Sequence, residues 1–298
     1  MKILLTNNHL NTIGGSETFV LTLYRYLKKQ GHLVHVFTFN PFYKIPLQAS
    51  GKGVDQYIDD LYYHEPNTIK ESYDLVLCNH NSCFEWVFNN VKFDRIHFIS
   101  HGTVPALEQP RLGADKYFSM SEEIKTNCRM NGFESEVIRN PIDLDEYKPM
   151  SKRNNPLKSA LCVSQGAKSK HLISSLGIPV EFAETNRFMR KIFTAEHYNK
   201  HDIVFSLGRG CYEALACDRP VIVFDTRDYN GTKYDGLVTK ENFLSLASFN
   251  CSGRLHGRGW DKNIVDSDLE AVVIEEGYYR SIAEQYLDIK VITETLLK

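Results

Sequence analysis

The 298-residue chain lacks several features that mark specialised classes of protein. No apolar run approaches the roughly 20 residues that a membrane-spanning helix needs. The formal net charge is −2, so the sequence lacks the strongly basic face of a nucleic-acid-binding domain. Long polar or like-charged segments are also missing, and 42% of the residues are hydrophobic, which excludes a disordered chain. We therefore expect a folded protein without a nucleic-acid partner, and ~100–200 residues per domain predicts two domains.

The sequence also lacks the cysteine pattern of a disulfide framework and the apolar core of a secretory signal peptide. The seven cysteines are scattered and odd in number, whereas a disulfide framework is normally dense and even. Only three apolar residues follow Met1-Lys2 before a polar stretch, too few for the core of a secretory signal. Cys78, His80 and Cys83 could ligate a metal, but no second ligand pair accompanies them, so we expect none. These patterns predict a cytoplasmic protein with reduced thiols.

Short apolar strands alternate with helical segments along the chain. Apolar runs over residues 2–6 and 33–38 predict buried strands, and the segment between them has helical spacing. Ser16 is the expected N-cap of that helix, and Gly31 ends it. Further strands are predicted over residues 73–78, 96–100, 116–119, 136–139, 160–163, 179–182, 203–206 and 220–224. This alternation predicts α/β structure with parallel sheets and right-handed crossovers.

The clearest break in the alternation is a proline-flanked polar segment between Pro141 and Pro149. It predicts an N-terminal domain over residues 1–148 and a C-terminal domain over residues 149–298, with the last helices packing back on the first domain. Both domains are expected to be doubly wound and Rossmann-like, facing a central cleft. Ligands of such sheets bind beyond the carboxyl ends of the strands, so the loops there are the candidate site.

Paired glycines, Gly14 and Gly15, lie between the first strand and the first helix. Such glycines let a diphosphate approach backbone N–H groups, where the helix dipole favours negative charge. The spacing is not the G-x-G-x-x-G of dinucleotide dehydrogenases, so a nicotinamide enzyme is disfavoured. A flexible turn without function explains the pair equally well, and the sequence leaves both interpretations open.

A second loop, Gly208-Arg209-Gly210, follows a predicted strand and opens a predicted helix at Cys211. A guanidinium held between glycines at a helix N-terminus offers paired donors to phosphate oxygens. Glu213, in the first turn, could accept hydrogen bonds from sugar hydroxyls or only stabilise the helix dipole. We expect an anion site here because Gly-Arg-Gly has no obvious packing purpose; simple capping is the alternative.

Three further features are less specific. His101, at the end of an apolar strand, is either a binding residue or a structural histidine. The pair Asp143 and Asp145 lies in the proline-flanked linker, where we expect no metal. Basic residues at the end of the first helix could contact an anionic membrane or simply face solvent; they are Arg25, Lys28 and Lys29.

Seven fragments occur in the order typical of the GT-B-fold retaining glycosyltransferases, the large family that includes sucrose-phosphate synthases and mannosyltransferases of lipid glycan assembly. They cover residues 14–18, 30–36, 100–102, 119–125, 139–149, 213–221 and 234–239. Over nearly its whole length the chain resembles this family, which is called family 4, and it looks like a short member of it. The resemblance implies a GT-B fold and a hexosyltransferase-type activity.

The family's properties supply the remaining expectations. A nucleotide sugar is the donor substrate, no cofactor or metal is needed, and the acceptor is a glycan, a lipid or a protein. Transfer retains the anomeric configuration, and leaving-group oxygens take the acceptor's proton. Glu213 matches a glutamate that binds the ribose hydroxyls, Gly15 would lie near the diphosphate and His101 near the transferred sugar. Backbone N–H groups around Gly210 and Cys211 would help to hold the diphosphate.

The chain departs from the family pattern in its C-terminal half. Phe205 stands where the family has the first glutamate of its Glu-x7-Glu motif, so we expect Arg209 to neutralise the phosphate instead. The family's lysine is matched only loosely, and we favour Lys168 over Lys170. These departures keep two alternatives open: a weak or inactive nucleotide-sugar-binding protein of this fold, or a nucleotide-sugar epimerase.

Overall fold

The computed structural model describes residues 1–39, 53–63, 69–163, 168–183, 191–227 and 231–298. Contacts divide the chain into two units. The N-terminal unit contains Met1–Pro141 and Lys290–Lys298, and the C-terminal unit contains the described residues from Ile142 to Ile289.

The N-terminal unit is built on a parallel sheet of seven strands in the order β3-β2-β1-β5-β7-β8-β9. Because the strand order reverses between β1 and β5, the topological switch point lies beside β1. In chain order the elements are β1 (Lys2–Asn7), α1 (Gly15–Lys29), β2 (Leu33–Thr38), β3 (Leu61–Tyr63), β4 (Ser72–Tyr73), β5 (Leu75–Asn79), α2 (Asn81–Asn90), β6 (Lys92–Phe93), β7 (Ile96–Ser100), β8 (Lys116–Ser119), α3 (Glu122–Met130) and β9 (Glu136–Val137). Strands β4 and β6 form a separate two-stranded parallel sheet.

The C-terminal unit has a five-stranded sheet in the order β11-β10-β12-β13-β14. All its strands are parallel except the edge strand β14, which pairs antiparallel with β13. Its elements are β10 (Ala160–Cys162), α4 (Lys168–Ile173), β11 (Val180–Phe182), α5 (Ala195–Asn199), β12 (Ile203–Ser206), α6 (Arg209–Ala216), β13 (Val221–Asp225), β14 (Lys233–Leu237), α7 (Phe243–Ser248), α8 (Lys262–Glu270) and α9 (Tyr278–Tyr286), followed by α10 (Ile289–Leu297).

The central strands are short apolar runs because helices cover both faces of a parallel sheet. In β5 and β7 every residue is buried, as it is in β12 and β13. Helix α1 presents an apolar stripe to the N-terminal core, with Phe19, Val20, Leu23 and Leu27 almost fully buried. The alternation of short apolar strands and amphipathic helices therefore produces the expected α/β units.

The starts of two helices differ from the sequence prediction. Gly14, not Ser16, is the N-cap of α1; the Thr18 N–H already donates to the Gly14 carbonyl at 3.0 Å. The Ser16 hydroxyl instead donates to Glu17 at 3.0 Å. Helix α6 begins at Arg209, before the predicted start.

The two units divide between Pro141 and Ile142, a few residues before the predicted boundary at 148/149. Arg280 on α9 gives the physical reason, because its guanidinium donates to the carbonyls of Leu144 at 3.1 Å and Tyr147 at 2.6 Å. These bonds fix the proline-flanked linker within the C-terminal unit.

The last residues of the chain group with the N-terminal unit. The Leu296 carbonyl lies 3.0 Å from His97 Nδ1, and the Lys298 carbonyl accepts a hydrogen bond from Arg95 at 2.5 Å. Helix α10 therefore covers part of the N-terminal sheet.

Candidate functional site

The N-terminal unit gathers polar side chains at the carboxyl ends of β1, β5 and β7. These three strands are neighbours in the sheet, so the loops that follow them meet at one edge. The loop after β1 carries His9, His80 follows β5, and His101 follows β7. The structure therefore brings His101 into a cluster of histidines that the sequence analysis had not assembled.

Glu17, in the first turn of α1, is the buried anion of this cluster. Its carboxylate accepts hydrogen bonds from Thr12 at 2.7 Å and Ser16 at 3.0 Å, and lies 3.2 Å from His9 Nε2. Burial alone would raise the pKa of Glu17, but the bonds from His9 and Thr12 outweigh it and lower the pKa to about 2. Glu17 is therefore ionised throughout the physiological range.

The two glycines of the first loop have different surroundings. A Cβ added at Gly14 would lie 2.6 Å from a Glu17 carboxylate oxygen, so Gly14 makes room for that side chain. A Cβ added at Gly15 would have no atom within 4 Å. Packing therefore explains Gly14 and leaves Gly15 with open space beside its backbone.

His101 is held as a neutral imidazole. The amide of Asn79 donates to the Thr6 carbonyl at 2.7 Å, so its oxygen faces His101 Nε2, 2.6 Å away, and that nitrogen carries the proton. Burial lowers the pKa of His101 to about 3, with a further contribution from His80. Nδ1 is therefore a hydrogen-bond acceptor at neutral pH.

His80 occupies the N-cap position of α2 with φ of +73°, a conformation that non-glycine residues adopt only where their surroundings impose it. Its Nδ1 accepts a hydrogen bond from the Asn8 N–H at 3.0 Å, and its ring stacks on His9 with centroids 5.9 Å apart. Burial lowers the pKa of His80 to about 4. The strained turn thus fixes a second neutral imidazole beside His9.

Glu108 ends a short turn, Ala106–Glu108, in the loop after β7. A carboxylate oxygen of Glu108 lies where a Cβ at Gly102 would be, so the glycine leaves room for this carboxyl. Burial raises the pKa of Glu108 to about 7, and the negative charge of Glu17 adds to the shift. This edge therefore holds two carboxyl groups with opposite pKa shifts.

The C-terminal unit carries the predicted Gly-Arg-Gly loop at the carboxyl end of β12. Gly208 has φ of +56°, and its N–H donates to the Cys251 carbonyl at 2.9 Å. Gly210 packs so closely on the Ser206 hydroxyl that a Cβ there would clash with it. Within the described residues that buried hydroxyl has no hydrogen-bond partner. The loop therefore places an unsatisfied donor at the N-terminus of α6.

Arg209 and Glu213 form a buried ion pair. Arg209 Nε donates to one oxygen of Glu213 at 2.7 Å, and the Tyr198 hydroxyl donates to the other at 2.7 Å. Burial and the charge of Glu213 raise the pKa of Tyr198 well above its usual value, so Tyr198 remains a donor. The structure brings together two residues that the sequence analysis had assigned to separate parts of the donor.

The other predicted residues of this loop are placed differently. Cys211 is fully buried, burial raises the pKa of its thiol, and its N–H already donates to the Gly208 carbonyl at 3.0 Å. The predicted role of the N–H groups around Gly210 and Cys211 in holding a diphosphate stays a prediction. Lys168 begins α4, but its side chain lies outside the described residues, as does the loop of residues 164–167. The neighbouring Lys170 ammonium lies 5.9 Å from the ring centroid of Phe182.

Several residues of the histidine cluster and of the Gly-Arg-Gly loop carried only weak signals in the sequence. Asn79 and His80 directly follow a predicted strand, the position where site residues are expected. Glu17 lies two residues after the paired glycines and within the fragment 14–18, but the sequence predicted no separate role for it. Nothing local distinguishes Glu108 or Tyr198, because their surroundings come from distant parts of the chain.

The structure also bears on the metal, membrane and cysteine expectations. In the described ranges, no three His, Cys, Asp or Glu side chains lie close enough to share a metal ion. None of the helices in that part of the chain is both long and apolar enough to cross a bilayer. All seven cysteines are buried and unpaired. Of the basic residues on α1, Lys28 donates to Asp60 at 2.7 Å, and this bond raises its pKa.

No protein-family model and no curated protein matches the chain. Several solved structures, however, are similar to the chain. An alpha-glucosyltransferase in complex with UDP and a 13-mer DNA has a TM-score of 0.57 at 11% identity, over 99% of this chain and 98% of that one. A glycosyltransferase involved in avilamycin A biosynthesis matches with a TM-score of 0.56 at 14% identity, over 99% of this chain and 96% of its own. A protein assigned as UDP-N-acetylglucosamine 2-epimerase from Listeria monocytogenes matches with a TM-score of 0.51 at 12% identity, over 99% of this chain and 94% of its own.

This likeness shows the fold. The chain has two Rossmann-like units of the GT-B type, as the sequence predicted.

Proposed function

We propose that the chain is a glycosyltransferase that moves a sugar from a nucleotide sugar to a glycan or lipid-linked acceptor, with retention and without a metal. The observation that carries the proposal is the loop between β12 and α6. It combines a buried arginine–glutamate pair, an unsatisfied serine hydroxyl and a helix N-terminus at the carboxyl end of a strand. The solved structures of similar fold include glycosyltransferases, one of them in complex with UDP.

The C-terminal unit is proposed to hold the nucleotide. Glu213 is fixed by Arg209 and Tyr198, and each of its oxygens keeps a second lone pair for a ribose hydroxyl. The diphosphate would take hydrogen bonds from the Ser206 hydroxyl and the first N–H groups of α6. Arg209 supplies positive charge as the nucleoside diphosphate leaves, the task expected of it where the family's first glutamate is replaced.

The N-terminal unit is proposed to hold the reacting sugar and the acceptor. The neutral His101 offers Nδ1 to a sugar hydroxyl, and its tautomer is fixed by Asn79. Gly15 has the open space that a close ligand requires. Ionised Glu17 balances the cationic character that develops on the sugar as the bond to the diphosphate breaks. Lys168, favoured by sequence, remains a proposed phosphate contact.

Donor binding and turnover test the proposal. Thermal shift against UDP, GDP, ADP and their glucose or mannose conjugates identifies the base, since a ligand of the native state raises Tm. The selected donor is then incubated with glycan, lipid-linked, peptide and DNA acceptors, and nucleotide release is measured. The formal net charge of −2 disfavours DNA, although the similar alpha-glucosyltransferase holds it. No stabilisation by any nucleotide or nucleotide sugar would reject the proposal.

An epimerase is the second candidate, because a protein assigned to that activity has a similar fold and Glu108 supplies an acid–base group. Incubation with UDP-N-acetylglucosamine alone separates the two functions. Appearance of its C2 epimer without an acceptor favours the epimerase. Nucleotide binding with neither reaction favours a binding protein. A cytoplasmic location and a peripheral membrane contact remain predictions from the sequence.

A further inference from the structure

The C-terminal unit contains a cavity of about 460 Å³ at the amino ends of its parallel strands. Leu157, Ile178 and Arg219 line it, and they lie two or three residues before the starts of β10, β11 and β13. The Gly-Arg-Gly loop follows the carboxyl end of β12 instead. Because these strands are parallel, the two places lie at opposite edges of one sheet. The cavity is therefore separate from the loop proposed to hold the donor.

Arg219 brings a buried guanidinium to the wall of this cavity. Only 1% of the residue is exposed. Its Nη2 donates to the carbonyl and the hydroxyl of Ser151, both at 2.8 Å, and to the carbonyl and Oδ1 of Asn199, at 3.2 and 3.0 Å. Within the described residues its Nε has no hydrogen-bond partner. The bonds of Nη2 explain how Arg219 holds the linker, and they leave the buried Nε donor unused.

The charge of Arg219 also lacks a carboxylate partner in the described part of the chain. Its acidic neighbours are Asp202 and Asp218, and both are held by other donors. Backbone N–H groups bond to Asp202 from Asn154, Lys158 and Ser159, and to Asp218 from Gly277, Tyr279 and Arg280. Burial and the charge of Arg153 lower the pKa of Arg219. Buried charges in proteins are normally paired, so this guanidinium indicates a site for an anion.

Much of the remaining wall is apolar. Five aliphatic side chains line the cavity, and they are Leu157, Ile178, Leu269, Val272 and Ile274. All of them except Ile274 also pack against the core of the unit, so they form a fixed surface. Ile274 is 66% exposed, which places it at the opening. Ligand pockets typically combine such apolar walls with a few polar groups that fix the orientation of the ligand.

The other charged side chains of the wall have less influence on which ligand fits. Lys152 and Glu276 form an exposed ion pair at 3.3 Å, and Glu270 is exposed at the end of α8. Solvent and salt screen exposed charges of this kind. Arg153 is half-buried and adds a second positive charge. The buried part of the cavity therefore favours a negative group.

We propose that this cavity binds a free small molecule with a carboxylate or phosphate head and a short apolar body. The head lies beside Arg219, because arginine forms charge-assisted hydrogen bonds with both kinds of head. The body lies on the aliphatic wall. Helix α6 connects the Gly-Arg-Gly loop to the turn that carries Arg219, so the two sites lie at the two ends of one helix. The proposal does not depend on the reaction proposed for the other edge of the sheet.

The first experiment tests whether both parts of the ligand matter. Isothermal titration calorimetry measures the affinity of the whole protein for octyl phosphate, octanoate, octanol and inorganic phosphate. We expect octyl phosphate or octanoate to bind with one molecule per chain, at least ~10-fold more tightly than octanol or inorganic phosphate. The preferred head distinguishes a phosphate from a carboxylate ligand. Equal affinity for octanol, or no binding of either anion, overturns the proposal.

The second experiment locates the bound probe. Methyl NMR of isoleucine-labelled protein is recorded during the titration, and Ile178→Val and Ile274→Val assign the two signals of the wall. Both signals should shift as the octyl anion binds. The signal of Ile99, buried in β7 of the N-terminal unit, should stay in place. Saturation without a shift of Ile178 and Ile274 would show that the probe binds elsewhere, and the proposal fails.

The third experiment removes the buried charge. Arg219→Gln should weaken binding of the octyl anion at least ~10-fold, and its affinity for octanol should not change. Thermal denaturation shows whether the variant is folded, since Arg219 also holds Ser151 and Asn199. Wild-type affinity for the anion in folded Arg219→Gln would remove Arg219 from the site and overturn the proposal.

Variants at the exposed Ile274 decide the question if Arg219→Gln does not fold. Ile274→Glu and Ile274→Gln remove the same apolar side chain and differ only in charge. The acidic variant should bind the octyl anion several-fold more weakly than the neutral one, because it places a like charge at the opening. The matched control is Val291→Glu on α10, a change to the same acid at a position that is 62% exposed and outside the cavity, and it should bind as wild type. Equal affinities of Ile274→Glu and Ile274→Gln contradict a site for an anion.

Discussion

Arg209 and Glu213, one turn apart at the start of α6, neutralise each other in the core of the C-terminal unit. Their side chains lie 2.7 Å apart, and each residue is only 8% exposed. A buried ion pair is costly to break, since removal of one partner leaves the other charge without compensation. Arg209 therefore orients Glu213 as well as supplying charge, so one substitution should affect both stability and donor binding.

Arg209→Ala should lower the free energy of unfolding by about 3 kcal/mol, because Glu213 stays buried without its cation. Adding Glu213→Gln should restore part of this loss, and chemical denaturation measures both. In the proposed enzyme, Arg209→Ala also reduces donor turnover ~100-fold. The double variant should not recover turnover, since the phosphate still lacks its guanidinium. Recovery by the double variant would show that the arginine acts only through Glu213.

Gly14 and Gly15 form a matched pair for separating packing from binding. Gly14→Ala places a Cβ 2.6 Å from the Glu17 carboxylate, and should lower Tm. Gly15→Ala has no neighbour within 4 Å and should leave Tm unchanged, while weakening nucleotide-sugar binding if the ligand approaches that backbone. Differential scanning calorimetry and isothermal titration of both variants test this. Equal donor affinity in wild type and Gly15→Ala would exclude Gly15 from the site.

Glu108 makes stability depend on pH in a specific direction. Its pKa rises on folding from 4.5 to about 7, so the native state holds this proton more tightly than the unfolded state. The contribution favours folding below about pH 4.5 and is lost as pH rises towards 7. Glu108→Gln should therefore gain up to about 3 kcal/mol over wild type at pH 8 relative to pH 4.5. Urea denaturation at the two pH values gives the difference, with Glu122→Gln as the control; equal shifts in both variants would count against a raised pKa of Glu108 in the native state.

Asn79 should control the protonation of His101. Asn79→Asp puts a carboxylate where the amide oxygen now lies 2.6 Å from the imidazole, which favours the charged ring. The pKa of His101 should rise from about 3 towards the ordinary range, and a charged ring no longer offers Nδ1 as an acceptor. Imidazole NMR follows the titration, and donor turnover should fall. An unshifted His101 would mean that burial, rather than its partner, determines its state.

Part of this architecture could be read from the sequence because it depends on local pattern. Strands β2, β7, β8 and β12 have the predicted bounds, since short apolar runs between polar turns form buried strands. The candidate loops also follow strands, as predicted. The position of the boundary could not be read in this way, because Arg280 fixes the linker from the far end of the unit.

The sequence by itself determined two α/β units with glycine-containing loops at strand ends, because alternation and turn chemistry act over a few residues. Only the tertiary structure decided which charges face each other. It paired Arg209 with Glu213, filled the space at Gly14 with Glu17, and placed the Glu108 carboxyl against Gly102. Charge states depend on burial and on partners from distant segments, and no spacing along the chain encodes either.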